Sequence, residues 1–351
     1  MSSSYRPGLR VSEYLLEERI GAGSFAEVWR GRHHVWDSER VAIKLPNVPE
    51  YVRYLQREGV LVHGLKHPNI VRVLGLDPYA DVPYLVMELV RGPALKQVLE
   101  QNPQGLPTGA AIVVLRGLLT AIATAHAANV LHRDIKPGNI LLDLNGKPLN
   151  QMTMEDVKVS DFGLGGMSAD MLSSIAQSAS MARDDRIVGT LAYMAPELRD
   201  GAKKADARSD LYSAGVVLFE LLTGERPAGG ELPSSLKSGV PAALDEVFSR
   251  LYTRYERRYE SAAAVLDDLN QRLTPPPPIR AAGRNVPPPP VRRVEALNCL
   301  RCGGRIEPDD QFCTQCGRQA VEAVRRCEGC GGFPAPRDRF CIFCGSELAP
   351  A

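Results

Sequence analysis

The sequence predicts an α+β fold over most of its length, with a small cysteine-built module behind it. Two observations carry this expectation. Through residue 273, short strand-like runs such as Val41–Leu45 and Tyr84–Met87 alternate with longer periodic runs such as Ala110–Ala128 and Leu211–Leu222, which suit helices. All eight cysteines then fall between Cys299 and Cys344. The 351 residues are 44% hydrophobic and 24% charged, ordinary for one large globular domain plus a small one. A formal net charge of +1 gives no bulk electrostatic case for nucleic acid or anionic membrane as a partner.

Residues 1–10 form a short polar tail without the apolar run of a signal peptide. Tyr14–Ile20 reads as a strand. The richest apolar stretches, Ala110–Ala125 and Val216–Leu222, are interrupted by Arg116 and Glu220 and read as buried helices. No stretch reaches the roughly 18–20 uninterrupted apolar residues of a membrane span. The expectation is a soluble, cytoplasmic protein. Regular structure should end near Leu273. Residues 274–297 then hold two tetraproline blocks, Pro275–Pro278 and Pro287–Pro290. Proline fixes φ and donates no backbone hydrogen bond, so a semi-rigid polyproline II spacer is expected. Pro287-x-x-Pro290-x-Arg292 has the form of a ligand for a proline-binding domain, but a plain linker is the preferred reading.

The chemistry-bearing motifs come in order. Gly21-Ala-Gly23-Ser-Phe25-Ala26-Glu-Val28 follows the first strand, and glycines there let backbone amides approach a phosphate closely. Val41-Ala-Ile-Lys44 follows one strand later, then His132-Arg-Asp134-Ile-Lys136-Pro-Gly-Asn139, Asp161-Phe-Gly163 and Ala195-Pro-Glu197. A lone glycine-rich loop is weak; the ordered set is highly specific. It resembles the protein-kinase family over residues 11–273.

That resemblance implies a bilobal fold, with a small β-rich N-lobe and a mainly helical C-lobe. It also implies transfer of the ATP γ-phosphoryl group, a reaction that asks for positioning and charge neutralisation. Gly21 and Gly23 would lie over the phosphates. Lys44 would hold the α- and β-phosphates, oriented by Glu58 of the first long helix. Asp134 would accept the proton of the attacking hydroxyl and Lys136 would steady the γ-phosphoryl. Asn139 and Asp161 would hold Mg²⁺, which prefers hard oxygen donors. Val28 and Ala42 above and Leu141 below would sandwich adenine, behind a gatekeeper at Met87, with the backbones of Glu88 and Val90 on its edge. Glu197 would pair with Arg258, Asp210 would anchor the catalytic loop, and His132 would pack.

Lys136 and Thr190 point to serine or threonine acceptors on protein substrates, with autophosphorylation, and the pattern looks most like the bacterial branch. Ala26 replaces a usual glycine. The stretch from Asn139 to Asp161 is several residues longer than usual, with Asn145–Glu155 expected as a looser connection. Arg133 beside Asp134 is an arrangement tied to control by phosphorylation. Ser168, Ser173, Ser174, Ser178 and Ser180 are candidate phosphosites in 161–197, and the same serines equally suit a merely mobile segment. The rival reading is a pseudokinase scaffold, which none of these residues favours.

The tail, 298–347, repeats Cys-x-x-Cys-Gly at Cys299, Cys313, Cys327 and Cys341, with period 14 and a stronger period of 28. Paired knuckles supply thiolates in tetrahedral array, which suits Zn²⁺. A reducing compartment disfavours disulfides, and iron is a minor alternative. Equal spacing leaves three connectivities. The 28-residue repeat favours Cys299/Cys302/Cys313/Cys316 and Cys327/Cys330/Cys341/Cys344, two structural Zn²⁺ sites. The segment resembles a double zinc ribbon. Its seven arginines only balance its seven aspartates and glutamates, and each zinc–tetrathiolate unit is net negative, so nucleic acid is an unfavoured partner. Docking to a protein partner or self-association is the expected use.

Overall fold

The computed structural model describes residues 5–23, 25–162, 191–273, 297–299, 301–306, 312–313, 315–319, 326–328, 330, 334, 338–341 and 347–348. Its contacts divide the chain into two units, Met1–Pro276 and Pro277–Ala351. The proline spacer, Gly163, Gly189, Thr190, the five candidate serines and Cys344 lie outside the described residues.

The first unit begins with strands β1 (Arg10–Val11), β2 (Tyr14–Ala22), β3 (Ala26–His33) and β4 (Arg40–Pro46). After helix α1 (Val52–His63) come β5 (Val73–Asp77) and β6 (Tyr84–Glu88). Together the strands form an antiparallel sheet in the order β1-β2-β3-β4-β6-β5. Burial along β3 alternates nearly residue by residue, as expected when one face meets a core. On the other side of the chain's connection, α1 buries Leu55, Glu58, Gly59 and Val62, one helical face turned to β5 and β6.

Next follow α2 (Leu95–Gln101), α3 (Thr108–Ala127), the ribbon β7 (Ile140–Leu142) with β8 (Val157–Val159), and α4 (Pro196–Arg199). Helices α5 (Ala207–Thr223), α6 (Pro233–Leu236), α7 (Ala242–Leu251) and α8 (Ala262–Leu273) complete the unit. α3 is long and apolar enough to cross a membrane by length and composition alone. Here it packs on α5, α8 and β8, and Leu115, Leu118, Leu119 and Ile122 on it are fully buried. An all-round apolar helix in a core has that composition for the same reason.

α5 shows how local sequence sets an element's ends. The Asp206 carboxylate accepts the N–H groups of Arg208 and Ser209, capping the first turn. Gly224 closes the helix at φ 83°, and a Cβ there would collide with the Pro103 carbonyl.

One expectation is corrected. Residues 145–155 do not form a loose connection; they contain two 3₁₀ turns, Leu149–Gln151 and Met154–Asp156. Asp156 accepts from Thr153 N and Oγ1 at 2.8 and 3.0 Å and from Lys147 Nζ at 2.8 Å. Burial opposes that charge, yet these donors hold the Asp156 carboxyl below its usual range. Asn69 donates to the Val157 carbonyl at 2.8 Å, fastening the end of the insertion. The overlooked signal was Thr153-Met-Glu-Asp156, a capping pattern.

The second unit includes the antiparallel pair β9 (Leu297–Asn298) and β10 (Arg305–Ile306). Isolated bridges join Phe312 to Gln319 and Phe340 to Glu347, so the 28-residue sequence repeat reappears as a repeat of pairing.

Candidate active site and cysteine clusters

The site of the first unit is assembled from strand ends and short turns. Lys44 points inward from β4 and is 4% exposed. Its ammonium bonds Glu58 Oε2 and Oε1 at 2.8 and 3.0 Å and Asp161 Oδ1 at 2.7 Å. Burial alone would neutralise Lys44, but the Asp161 and Glu58 carboxylates overcome it and hold the pKa well above the ordinary lysine value. Glu58 is pushed by burial up to about 7, against the pull of Lys44. Asp161 moves the other way: despite burial, Lys44 keeps its carboxyl low.

The second cluster lies on the segment before β7. Lys136 Nζ donates to Asp134 Oδ2 at 2.8 Å, and Asn139 Nδ2 donates to the Asp134 carbonyl and Oδ2 at 2.8 and 3.0 Å. Ser160 N–H bonds the Asn139 carbonyl at 2.9 Å, which brings Asp161 to the same locality. Arg133 and Asp161 adopt φ of 66° and 63°, strained for side-chain-bearing residues. Asp210 compensates at the first of these. It accepts His132 N–H at 2.9 Å, Arg133 N–H at 2.8 Å and His126 Nε2 at 2.8 Å. His132 is fully buried against Phe162, ring centroids 4.5 Å apart, and burial lowers its pKa. Glu197 and Arg258 form a two-point pair at 2.6 and 2.8 Å with both side chains nearly excluded from water.

Gly21 lies opposite Val28 in the β2–β3 ladder, and Gly23 N–H bonds the Ala26 carbonyl at 2.8 Å, turning the loop. Ala42 is paired with Met87, both buried, and Leu141 pairs with Lys158 across the β7–β8 ribbon. Glu88 N–H bonds the Arg72 carbonyl at 2.9 Å, while its carboxylate takes Lys158 Nζ at 3.0 Å. Val90 follows in the segment leading to α2, half-buried. The same segment closes on β7 so tightly that a Cβ on Gly92 would strike the Leu142 carbonyl. Sequence reading missed His126 and Lys158, because their partners Asp210 and Glu88 lie far away along the chain. Among the described residues, Lys44, Glu58, Asp134, Lys136, Asn139 and Asp161 fall in two clusters of the first unit, joined through Asn139, Ser160 and Asp161.

In the second unit, the sulfurs of Cys299, Cys302, Cys313 and Cys316 lie within 4.8 Å of one another, as do those of Cys327, Cys330 and Cys341. Cys299–Cys316, Cys302–Cys313 and Cys330–Cys341 sulfurs are 3.6 Å apart. A disulfide needs about 2.05 Å, whereas thiolates around one tetrahedral zinc sit about 3.8 Å apart, given Zn–S near 2.3 Å. The donor set therefore fits Zn²⁺. N–H groups of Arg301 and Cys302 pull the Cys299 thiol down to about 6. Cys302, despite the Gly304 N–H, is pushed up to about 12 by neighbouring sulfurs. Crowded thiolates repel one another, and a divalent cation removes that repulsion.

Comparison with known proteins follows the same division. The family model described as "Protein kinase domain" matches residues 14–274. Serine/threonine-protein kinase PkaA of Streptomyces coelicolor is 36% identical over 266 residues, 70% of this chain and 46% of that protein. Serine/threonine-protein kinase PrkC of Bacillus subtilis is 35% identical over 65% of this chain and 33% of its own length. Serine/threonine-protein kinase PknL of Mycobacterium tuberculosis is 34% identical over 74% of this chain and 65% of its own. The chain thus spans about one third to two thirds of these relatives. The crystal structure of the Mycobacterium tuberculosis PknI kinase domain aligns with TM-score 0.58 at 23% identity, covering 77% of this chain and 100% of that one.

Proposed function

Because the chain belongs to the protein kinase domain family, we propose that it transfers the γ-phosphoryl group of ATP to serine or threonine hydroxyls of protein substrates, its own included. One observation carries the reading: Lys44 is held between Glu58 and Asp161 at 2.8 and 2.7 Å, ready to meet phosphate. In this reading Lys44 binds the α- and β-phosphates under the Gly21–Gly23 loop. Asp134 takes the proton of the substrate hydroxyl as its oxygen attacks the γ-phosphorus and ADP leaves. Lys136 steadies the transferring group. Asn139 and Asp161 offer oxygen donors to Mg²⁺, which neutralises phosphate charge when bound. Val28, Ala42 and Leu141 sandwich adenine, and the backbones of Glu88 and Val90 meet its edge. Thr190 and Lys136 favour serine and threonine acceptors.

The assigned organisation is a kinase domain over 11–273, a proline-rich linker over 274–297 and a double zinc ribbon over 298–347, in a cytoplasmic protein. The ribbon serves protein docking or self-association. Purified chain with labelled ATP, Mg²⁺ and a generic protein substrate should incorporate phosphate on serine and threonine, and Asp134→Ala should not. Equal incorporation by both, or none by either, would overturn the reading. Metal analysis should return about two zinc ions per chain.

A further inference from the structure

Tyr51 is the most conspicuous buried polar side chain to which the reaction as described gives no part. It is 2% exposed and ends the 3₁₀ turn Pro49–Tyr51, directly before α1. Tyr51, Leu55, Glu58 and Val62 are all buried. Steps of four, three and four residues place them on one helical face. Tyr51 therefore begins the inward face from which Glu58 reaches Lys44.

Two contacts give this position a direction. Phe25, at the turn between β2 and β3, stacks on the Tyr51 ring with centroids 6.2 Å apart and planes 12° from parallel. The Phe25 carbonyl also accepts the Asn47 N–H at 2.7 Å, which ties the glycine-rich loop to the end of β4 at the same place. On the inner side the Lys44 ammonium lies 5.8 Å from the Tyr51 ring centroid, within reach of the ring's negative face. Burial holds the phenol above its usual range, so the hydroxyl stays protonated beside the ion pair.

We infer that Tyr51 is a positioning residue that couples the glycine-rich loop to the Lys44–Glu58 pair through its stack on Phe25. The loop seated over a nucleotide puts Phe25 on Tyr51, and Tyr51 seated puts α1 where Glu58 meets Lys44. This inference rests on the nucleotide-binding reading of the site.

The test is a double-mutant cycle in the full-length chain, read as KM for ATP against kcat. Tyr51→Leu and Phe25→Leu should each raise the ATP KM by about 2- to 10-fold, the worth of one aromatic pair. Tyr51→Phe, which keeps the ring, should restore it. The double variant should be no worse than either single one, because both remove the same contact. Multiplying effects, or a Tyr51→Leu enzyme with unchanged KM, would overturn the coupling. Should Tyr51→Leu not fold, hydrogen exchange on Phe25→Leu decides instead. ADP should protect the amides of Val52–His63 in the wild type, and Phe25→Leu should remove most of that protection; undiminished protection overturns the coupling. A wild-type chain that binds no ADP would overturn the kinase reading and the coupling with it, whereas binding with multiplying effects overturns the coupling alone.

Discussion

The two units of this chain solve the same problem, burial of enough material to hold a shape, with different chemistry. The first unit buries aliphatic and aromatic side chains in quantity, among them Leu115, Leu118, Phe162 and Phe219 at no more than 1% exposure. In the second, the buried positions among the described residues are Cys299, Gly304, Cys313, Cys327, Pro334 and Cys341. Four of these six described positions are cysteines, where the first unit's are hydrocarbon. A unit of the first kind is stabilised by area removed from water, and it can then hold strained and charged groups such as Arg133 and Lys44. Among the described residues the second unit buries chiefly cysteine, and thiolates gathered this closely are a donor set through which a bound metal would supply folding free energy. The strained backbone at Arg133 and Asp161 and the buried Lys44 ion pair both belong to the first unit.

Strong chelation under reducing conditions should break this contrast most sharply. Structural zinc supplies roughly 10–16 kcal/mol of apparent folding free energy. The tail should lose its ordered amide signals while ATP turnover and the main melting transition persist; a tail that stays folded without metal would end the comparison. Removing one partner of the buried Arg258–Glu197 pair comes next. Arg258→Met leaves an uncompensated carboxylate and should cost about 3–5 kcal/mol in denaturant melts, with zinc content unchanged. Leu118→Ala, a cavity in the middle of α3, should cost about 2–5 kcal/mol, again without loss of zinc. If either substitution also released metal, the units would not be independent.

The smallest effect concerns pH. Burial lowers the pKa of His132 below its ordinary 6.5, so the unfolded chain binds this proton more readily. The stabilisation is full above 6.5 and is lost as the pH falls from there toward the folded value. His132→Phe, which keeps a ring against Phe162, should flatten that part of the stability profile. An unchanged slope would show that His132 does not set it.

The legible parts of the molecule are those written in neighbouring residues. Tyr14–Ile20 and Tyr84–Met87 declare themselves as strands by composition, β2 and β6 running on to Ala22 and Glu88, and α3 does so by a long apolar run. The site's residue types were legible because phosphoryl transfer demands them within short motifs, from Gly21 and Gly23 to Asp161. The cysteine grouping was legible from a 28-residue repeat, and the described sulfurs gather as that repeat requires. The 145–155 insertion was misjudged as loose because its order comes from Lys147, Thr153 and Asn69 converging on it, the last from far upstream.

Sequence by itself therefore determined the family, and it pointed to the candidate site residues and favoured one pairing of knuckles, since each is written in local spacing or in required chemistry. Only the tertiary structure decided that Lys44 is shared between Glu58 and Asp161, that Asp210 also takes His126, and that Phe25 lies on Tyr51. Those contacts join residues 14, 117, 84 and 26 positions apart in the chain. Nothing in the local pattern of one partner constrains the other; burial in a common core is what brings them together.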